Sequence, residues 1–126
     1  MKSILIITLF MTGTGMSSCT KKASTIPIND DIDSTATVLF SGRFMNGPYG
    51  ATIGVARIEA VNNKWQLRLD SFEVSNGPDL KVYLSKEQQP IHFISLGSLR
   101  ATSGSQVYVV NGMPDIAEYR YALIHC

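Results

Sequence analysis

The chain has 126 residues and a mass of 13.8 kDa, which allows one ordinary domain and excludes two. It contains 11 Lys and Arg against 10 Asp and Glu, and the formal net charge of +1 excludes a strongly basic nucleic-acid binder and an acidic disordered tail. Hydrophobic residues make up 44% of the sequence and charged residues 17%, so the chain can bury a core.

The first 18 residues have the pattern of a bacterial secretory signal peptide. Lys2 is followed by an unbroken apolar run, Ile4–Met11, whose eight residues are too few for a transmembrane helix of about 20. The segment Met16–Cys19 resembles the lipobox of bacterial lipoproteins, in which the cysteine carries a diacylglycerol after cleavage. We therefore expect residues 1–18 to be removed and Cys19 to be lipidated. The alternative is an ordinary signal peptide that is cut nearby and leaves Cys19 unmodified.

Lipidation of Cys19 would anchor the protein to a membrane of the cell envelope. Thr20, and not Asp, follows the cysteine, so the resemblance implies an outer-membrane lipoprotein in a host with two membranes. Residues 19–37 contain Lys21-Lys22, an Asp cluster and many Ser and Thr without a repeating apolar pattern, which predicts a flexible tether. The alternative for this segment is a short first strand around Ile26–Ile28.

Residues 38–126 are predicted to form one all-β domain. Short runs of β-branched and aromatic residues alternate with turn signals, and no segment has sustained helical periodicity. The spacing predicts an antiparallel β-sandwich, or a partly open barrel, of about seven to nine short strands. The predicted strands are Val38–Met45, Ala51–Val61, Lys64–Asp70, Leu80–Ser85, Phe93–Leu96, Val107–Val110 and Tyr119–Cys126.

A tight turn is predicted at Asn76-Gly77-Pro78-Asp79, between two of these strands. Gly77 can adopt a positive φ, Pro78 fixes its own φ, and the Asp79 carboxylate can accept backbone N–H hydrogen bonds. We expect a structural turn here, with a ligand loop as the alternative.

Short motifs recur along the domain on both sides of this turn. They are Ser41-Gly42-Arg43-Phe44, Leu67-Arg68-Leu69, Gly77 to Ser85, Leu96-Gly97-Ser98-Leu99, Gly104 to Tyr108, and Ile124-His125-Cys126. Together these motifs resemble the DM-thirteen domain, a DOMON-associated family described as an electron-transfer module.

The sequence departs from the pattern of that family at its end. The family usually has an aromatic residue, commonly Trp, before the last cysteine, where this sequence has His125. The family's last strand also continues beyond that cysteine, whereas this sequence stops at Cys126. The resemblance implies a redox role for Cys126, either as a bare thiol or through a bound group such as haem.

The residues alone leave several roles open for Cys126. It could be a buried thiol without chemistry, a disulfide partner of another chain, a redox nucleophile, or a ligand to a metal or haem iron. A lipid on Cys19 would prevent a Cys19–Cys126 disulfide. Neighbours on a strand point to opposite faces, so His125 and Cys126 cannot both bind one iron. We expect Cys126 to face inward, on the apolar side shared by Ala122 and Ile124.

The sequence does not select a second iron ligand. His92, Met45 and Met113 are candidates, and the absence of a Cys-x-x-Cys-His motif means that any haem would be non-covalent. The mature domain offers only two His and one Cys as typical zinc ligands. Cys126 and His92 could form a nucleophile and base, but no hydrolase signature accompanies them.

The leading hypothesis is a non-enzymatic, membrane-anchored envelope module that transfers electrons through Cys126 to a redox partner protein. Any activity would be redox, and no nucleic acid is expected as a partner. The alternative is a binding module for a sugar, peptide or partner protein, in which Cys126 only packs and the loops carry function. The aromatic residues that could form a sugar-stacking platform, or pack in the core instead, are Trp65, Tyr49, Tyr83, Tyr108, Tyr119 and Tyr121.

Overall fold

The computed structural model describes residues 23–48 and 50–126, and its regular structure consists of eight β-strands without a helix. The predicted all-β class is confirmed, and each predicted strand segment overlaps one of the strands. No helix among the described residues is long and apolar enough to cross a bilayer. The strands are β1 (Ile28–Asn29), β2 (Thr37–Arg43), β3 (Thr52–Val61), β4 (Lys64–Val74), β5 (Lys81–Ser85), β6 (Phe93–Ser98), β7 (Gly104–Val110) and β8 (Tyr121–His125).

The strands form two sheets that do not close into a barrel. The larger sheet has the order β1-β7-β4-β3-β2, and the smaller one has the order β6-β5-β8. Neighbouring strands run antiparallel except for the short β1, which pairs with β7 in parallel. The segment between β4 and β5 takes the chain from the larger sheet to the smaller one.

The β3–β4 hairpin follows from its turn residues and its side-chain alternation. Asn62 and Asn63 both have positive φ, at 50° and 63°, which suits the two-residue turns whose twist matches that of the strands. Leu67 and Leu69 are buried on the inner face, as the alternating pattern predicts. The alternating pattern predicts that the opposite face of β4 is exposed. This face is partly covered as well, since Arg68 is only 2% exposed.

Arg68 is buried because the segment before β2 covers it. Its Nη2 donates to the Asp31 carbonyl at 2.7 Å, and its Nε contacts the Glu59 carboxylate at 3.3 Å. Gln66 donates to the same carboxylate at 2.8 Å. A buried guanidinium needs such partners, because an uncompensated buried charge is strongly destabilising.

A second set of contacts fixes Asp30 beside the same sheet. Its carboxylate forms an ion pair with Arg100 and accepts the backbone N–H of Val107 at 2.9 Å. Desolvation opposes ionisation of Asp30, but these hydrogen bonds and the nearby positive charges outweigh it and lower its pKa. Residues 19–37 were predicted to form a flexible tether. Through these contacts and through β1, part of that segment packs against the domain.

The core lies where the smaller sheet covers the middle of the larger one. Phe72 packs edge to face on Phe44, with the ring centroids 5.5 Å apart. The buried apolar side chains of this core come mainly from β4, β5 and β7 and include Leu67, Leu69, Phe72, Val82, Leu84, Tyr108 and Val110.

Replacing Gly104 by Ala should separate β1 from β7. Gly104 has a φ of 99°, and an added Cβ would collide with the backbone of Ile28. Gly97→Ala is the matched control, because Gly97 has a φ of 107° but no atom within 4 Å of the added Cβ. Both variants acquire backbone strain of about 1–3 kcal/mol. Only Gly104→Ala must also displace β1.

We therefore expect Gly104→Ala to lower the free energy of unfolding more than Gly97→Ala, as measured by urea denaturation. The Ile28 amide, which donates to Ser103 O at 3.3 Å, should lose protection from hydrogen exchange in Gly104→Ala alone. Equal losses of stability with unchanged protection at Ile28 would contradict this account.

Candidate functional site

An apolar cleft of about 1070 Å³ lies between the two sheets on the side of β2 and β8. We call it the inter-sheet cleft. One wall is the inner face of β2, β3 and β4, where Phe40 pairs with Ile58 and Ile58 with Leu67. The facing wall comes from β5 and β8. The apolar residues that line the two walls include Phe40, Ala56, Ile58, Leu67, Leu80, Leu84, Ala122 and Ile124.

Cys126 lies at one end of this cleft, directly after β8. It packs half-buried against the core together with Ala122 and Ile124, so the predicted inward face is the one observed. Its Sγ donates a hydrogen bond to the carbonyl oxygen of Pro78 at 2.7 Å. The last residue of the sequence is thus fixed to the loop that carries the most specific sequence motif.

The loop Asn76–Asp79 has a different geometry from the predicted turn. The positive φ lies at Asp79, at 55°, and not at Gly77. The Asp79 carboxylate contacts Lys81 Nζ at 3.3 Å, and the Asn76 side chain accepts the backbone N–H of Gly77 at 2.9 Å. Asn76 therefore makes the local side-chain contact with the backbone that was expected of Asp79. In this loop the chain crosses from the larger sheet to the smaller one. The backbone of Asp79 adopts the left-handed conformation there, and Asn76 binds the backbone N–H of the next residue.

The outer face of the smaller sheet carries three stacked rings. His125 stacks on Tyr83, with centroids 5.9 Å apart and planes inclined by 26°. Tyr83 contacts Phe93 at 4.2 Å between centroids and 30° between planes. These rings come from β8, β5 and β6, so we call them the outer aromatic row. It begins one residue from Cys126 and ends at Phe93, which is 40% exposed.

Burial affects two titratable groups in the outer aromatic row. Desolvation disfavours the imidazolium and lowers the pKa of His125 below its ordinary value. Desolvation also raises the pKa of Tyr83, and the nearby Lys81 charge opposes that rise only in part. Both rings are therefore neutral at pH 7, and a neutral pair stacks without burying a charge.

The other candidate ligands fall at different places. Met45 lines the inter-sheet cleft, as Cys126 does. His92 lies beyond the other end of β5, is 66% exposed, and contacts the Glu87 carboxylate at 2.6 Å through Nδ1. Met113 is exposed in the connection between β7 and β8. Cys19 lies outside the described residues.

A metal centre built from protein ligands finds no support in the described part of the chain. Residues 23–48 and 50–126 contain no group of three or more His, Cys, Asp or Glu side chains placed to hold a metal ion. Of the three candidates for a second iron ligand, Met45 is the one in the same cleft as Cys126.

Sequence reasoning missed the outer aromatic row as a unit. It offered Tyr83 as part of a sugar platform, and it placed His125 on the face of the last strand opposite Cys126. The alternation of Tyr83 and Ser85 on β5 could likewise have placed Tyr83 on an outer face. It could not have shown that these strands are neighbours.

Comparison with known families matches the part of the chain that builds this site. The sequence model of a family described as electron transfer DM13 matches residues 49–126, which is more than half of the chain and contains β3 to β8. No curated protein and no solved structure matches the chain significantly.

The His125 imidazole should titrate with a pKa below the ordinary value of 6.5, because burial penalises its charged form. The unfolded chain then binds the proton at a higher pH than the folded chain does. His125 therefore contributes stability above about pH 6.5, and this contribution is lost as pH falls through the lowered pKa.

Histidine ring signals in an NMR pH titration measure this directly. The His92→Gln variant removes the other histidine of the sequence and assigns the signal. His125→Phe keeps a ring on Tyr83 and should reduce the fall in stability between pH 7 and pH 5. A midpoint at or above 6.5 for His125 would contradict the prediction.

Proposed function

Because this chain belongs to the DM13 electron-transfer family, we propose that its β-sandwich transfers electrons and that Cys126 is the redox group. The observation that carries the proposal is the position of the Cys126 Sγ, which lies at the end of an apolar cleft and is held on the Pro78 carbonyl. The fold holds the thiol form at one position within the matched region, and its S–H hydrogen bond is given up when the sulfur is deprotonated, oxidised or bound to iron.

As a thiol, Cys126 would act by thiol–disulfide exchange with a partner protein. Its thiolate attacks a disulfide of that partner, the S–S bond breaks, and a mixed disulfide forms. The partner's second sulfur leaves as a thiolate and takes up a proton. Cys126 is half-buried and lines the cleft, so the exchange requires the partner to reach the sulfur there.

Non-covalent haem fits the residues present. The cleft has apolar walls and a volume of about 1070 Å³, at the upper end of the ordinary range of about 300–1,000 Å³ for ligand pockets. Cys126 and Met45, both lining the cleft, would hold the iron, and the haem would supply one-electron chemistry there. His125 stacks on Tyr83 at the other face of β8, so we do not assign it as a ligand.

The outer aromatic row supports a location for the redox partner. His125 is bonded to Cys126 through the main chain, and its ring leads through Tyr83 to the exposed Phe93. Aromatic rings are enriched where proteins contact one another. We propose that the partner protein contacts the face of the smaller sheet that carries these rings.

We also propose that the mature chain is anchored to the envelope membrane by a lipid on Cys19, on the outer membrane where the host has two. The support is the sequence of residues 1–20, with its positive start, its apolar run and Thr20 after the cysteine. One acyl-bearing residue followed by a polar segment would keep the domain near the bilayer surface.

Substitution of Cys126 by Ser tests the redox proposal without removing the contact to Pro78, since the Ser hydroxyl can donate the same hydrogen bond. Full-length protein carrying Cys19→Ala serves as the background, so that neither lipid nor detergent competes. Haemin titration should give a saturable Soret band. When Cys126 is Ser, either the band should shift or the affinity for haemin should fall roughly tenfold. Met113→Leu, an exposed Met outside the cleft, should leave the band unchanged.

The thiol form is tested by reaction with oxidised glutathione. A redox thiol should react faster in the folded domain than in the same chain unfolded in urea, because the fold positions and activates the sulfur. The redox proposal is overturned if haemin binding ignores Cys126 and the folded thiol reacts no faster than the unfolded one.

Lipidation is tested by growth with radiolabelled palmitate. The label should enter the full-length chain and a Cys126→Ser variant equally, and it should be lost from Cys19→Ala. Label retained in Cys19→Ala, or no label in the unaltered chain, would sink the membrane-anchor proposal.

A further inference from the structure

The inter-sheet cleft leaves apolar side chains of its walls exposed. Phe40 belongs to the inner face of β2, yet it is 55% exposed. Inner faces of a sandwich normally interdigitate across about 10 Å. Here the smaller sheet has three strands and the larger one has five, and among the described residues the inner face at the β2 edge stays partly exposed.

The charged side chains that line the cleft are of one sign. The described lining includes Arg43 and Arg120, and no Asp or Glu. Neither arginine forms an ion pair within residues 23–48 and 50–126. The lysine and arginine side chains that do contact a carboxylate there are Arg57, Arg68, Lys81, Lys86 and Arg100.

The two arginines differ in their place on the strands. Arg43 pairs with Val55 and so shares the outer face of β2 and β3 with Arg57. Arg120 directly precedes β8 and lines the cleft next to Ala122 and Ile124, which pack toward the core. Arg120 is therefore the positive charge aligned with the apolar wall.

The register of β8 gives the length of this wall. Arg120 and Cys126 are six residues apart along an extended chain, which corresponds to roughly 20 Å. The cleft thus offers a long apolar surface with one cationic end. A compact ligand would leave most of this surface exposed.

We propose that the inter-sheet cleft binds a long-chain carboxylate, with its head group on Arg120 and its chain extending along Ala122 and Ile124 toward Cys126. The apolar walls remove the chain from water, and a guanidinium is well shaped to hold a carboxylate by two hydrogen bonds. The absence of acidic residues from the described lining means that nothing there repels the head group. The proposal does not depend on a thiol role of Cys126, but a long-chain carboxylate and haem would compete for the same cleft.

Fluorescence titration with cis-parinaric acid, a fluorescent long-chain carboxylate, tests the proposal in full-length protein carrying Cys19→Ala. The fluorescence should rise saturably, and oleate should displace the probe. Arg120→Gln should weaken oleate binding by about tenfold, as expected for loss of one charge-assisted contact. Arg43→Gln removes the same charge from the other face and should change the affinity less than about twofold.

Oleyl alcohol and protoporphyrin IX complete the design. The alcohol lacks the carboxylate and should bind the unaltered protein and Arg120→Gln alike. Ala122→Trp should block the cleft and abolish parinarate binding, with folding checked by urea denaturation.

Equal weakening by Arg43→Gln and Arg120→Gln would overturn the proposal in favour of general charge attraction. So would tighter binding of protoporphyrin IX that does not respond to Arg120, because the cleft would then select a planar ligand.

Discussion

The candidate site depends on the register of β8 against β5. Lys81 pairs with His125 and Val82 with Ile124, so alternate residues of β8 face the core or the outside. A slip of one residue would exchange the faces of His125 and Cys126. The sulfur would leave the cleft and the imidazole would enter it, and the outer aromatic row would lose its first ring. The hydrogen bond from Cys126 to Pro78 lies at the end of the same pairing and opposes such a slip.

The two halves of the sandwich differ because the sheets differ in width. Where β5 covers β4 and β7, side chains such as Leu69 and Val82 are fully buried and form the core. Toward β2 and β8 the cover ends, and the same inner face becomes the wall of the cleft. Stability and binding are thus properties of one continuous face. The covered part can hold the fold while the uncovered part keeps a surface for a ligand.

Local patterns in the sequence were sufficient to predict strands β2 to β8 and the face that most of their residues occupy, whereas β1 lies in the segment predicted to be a tether. The Asn62-Asn63 turn, the alternation of β4 and the inward position of Cys126 all depend on residues close together in the chain. The positive φ at Asp79 could not be predicted from local patterns. Gly77 adopts a positive φ with less steric strain than Asp79 does, so the local sequence favours Gly77 for that conformation. The crossing between sheets, which is not local, sets the backbone there.

Contacts between distant segments were the main features that the sequence could not predict. Arg68 lies within a strand whose alternation suggests an exposed face, but carbonyl groups 37 and 38 residues away cover it. The cleft has the same origin, since it lies between β2 and β8, which are edge strands of two sheets with different numbers of strands. A pattern of alternation shows that Ala122, Ile124 and Cys126 share an apolar face. It does not show that, among the described residues, an open cleft separates this face from the inner face of β2, and it is this cleft that makes Arg120 a candidate for recognition and not only a surface charge.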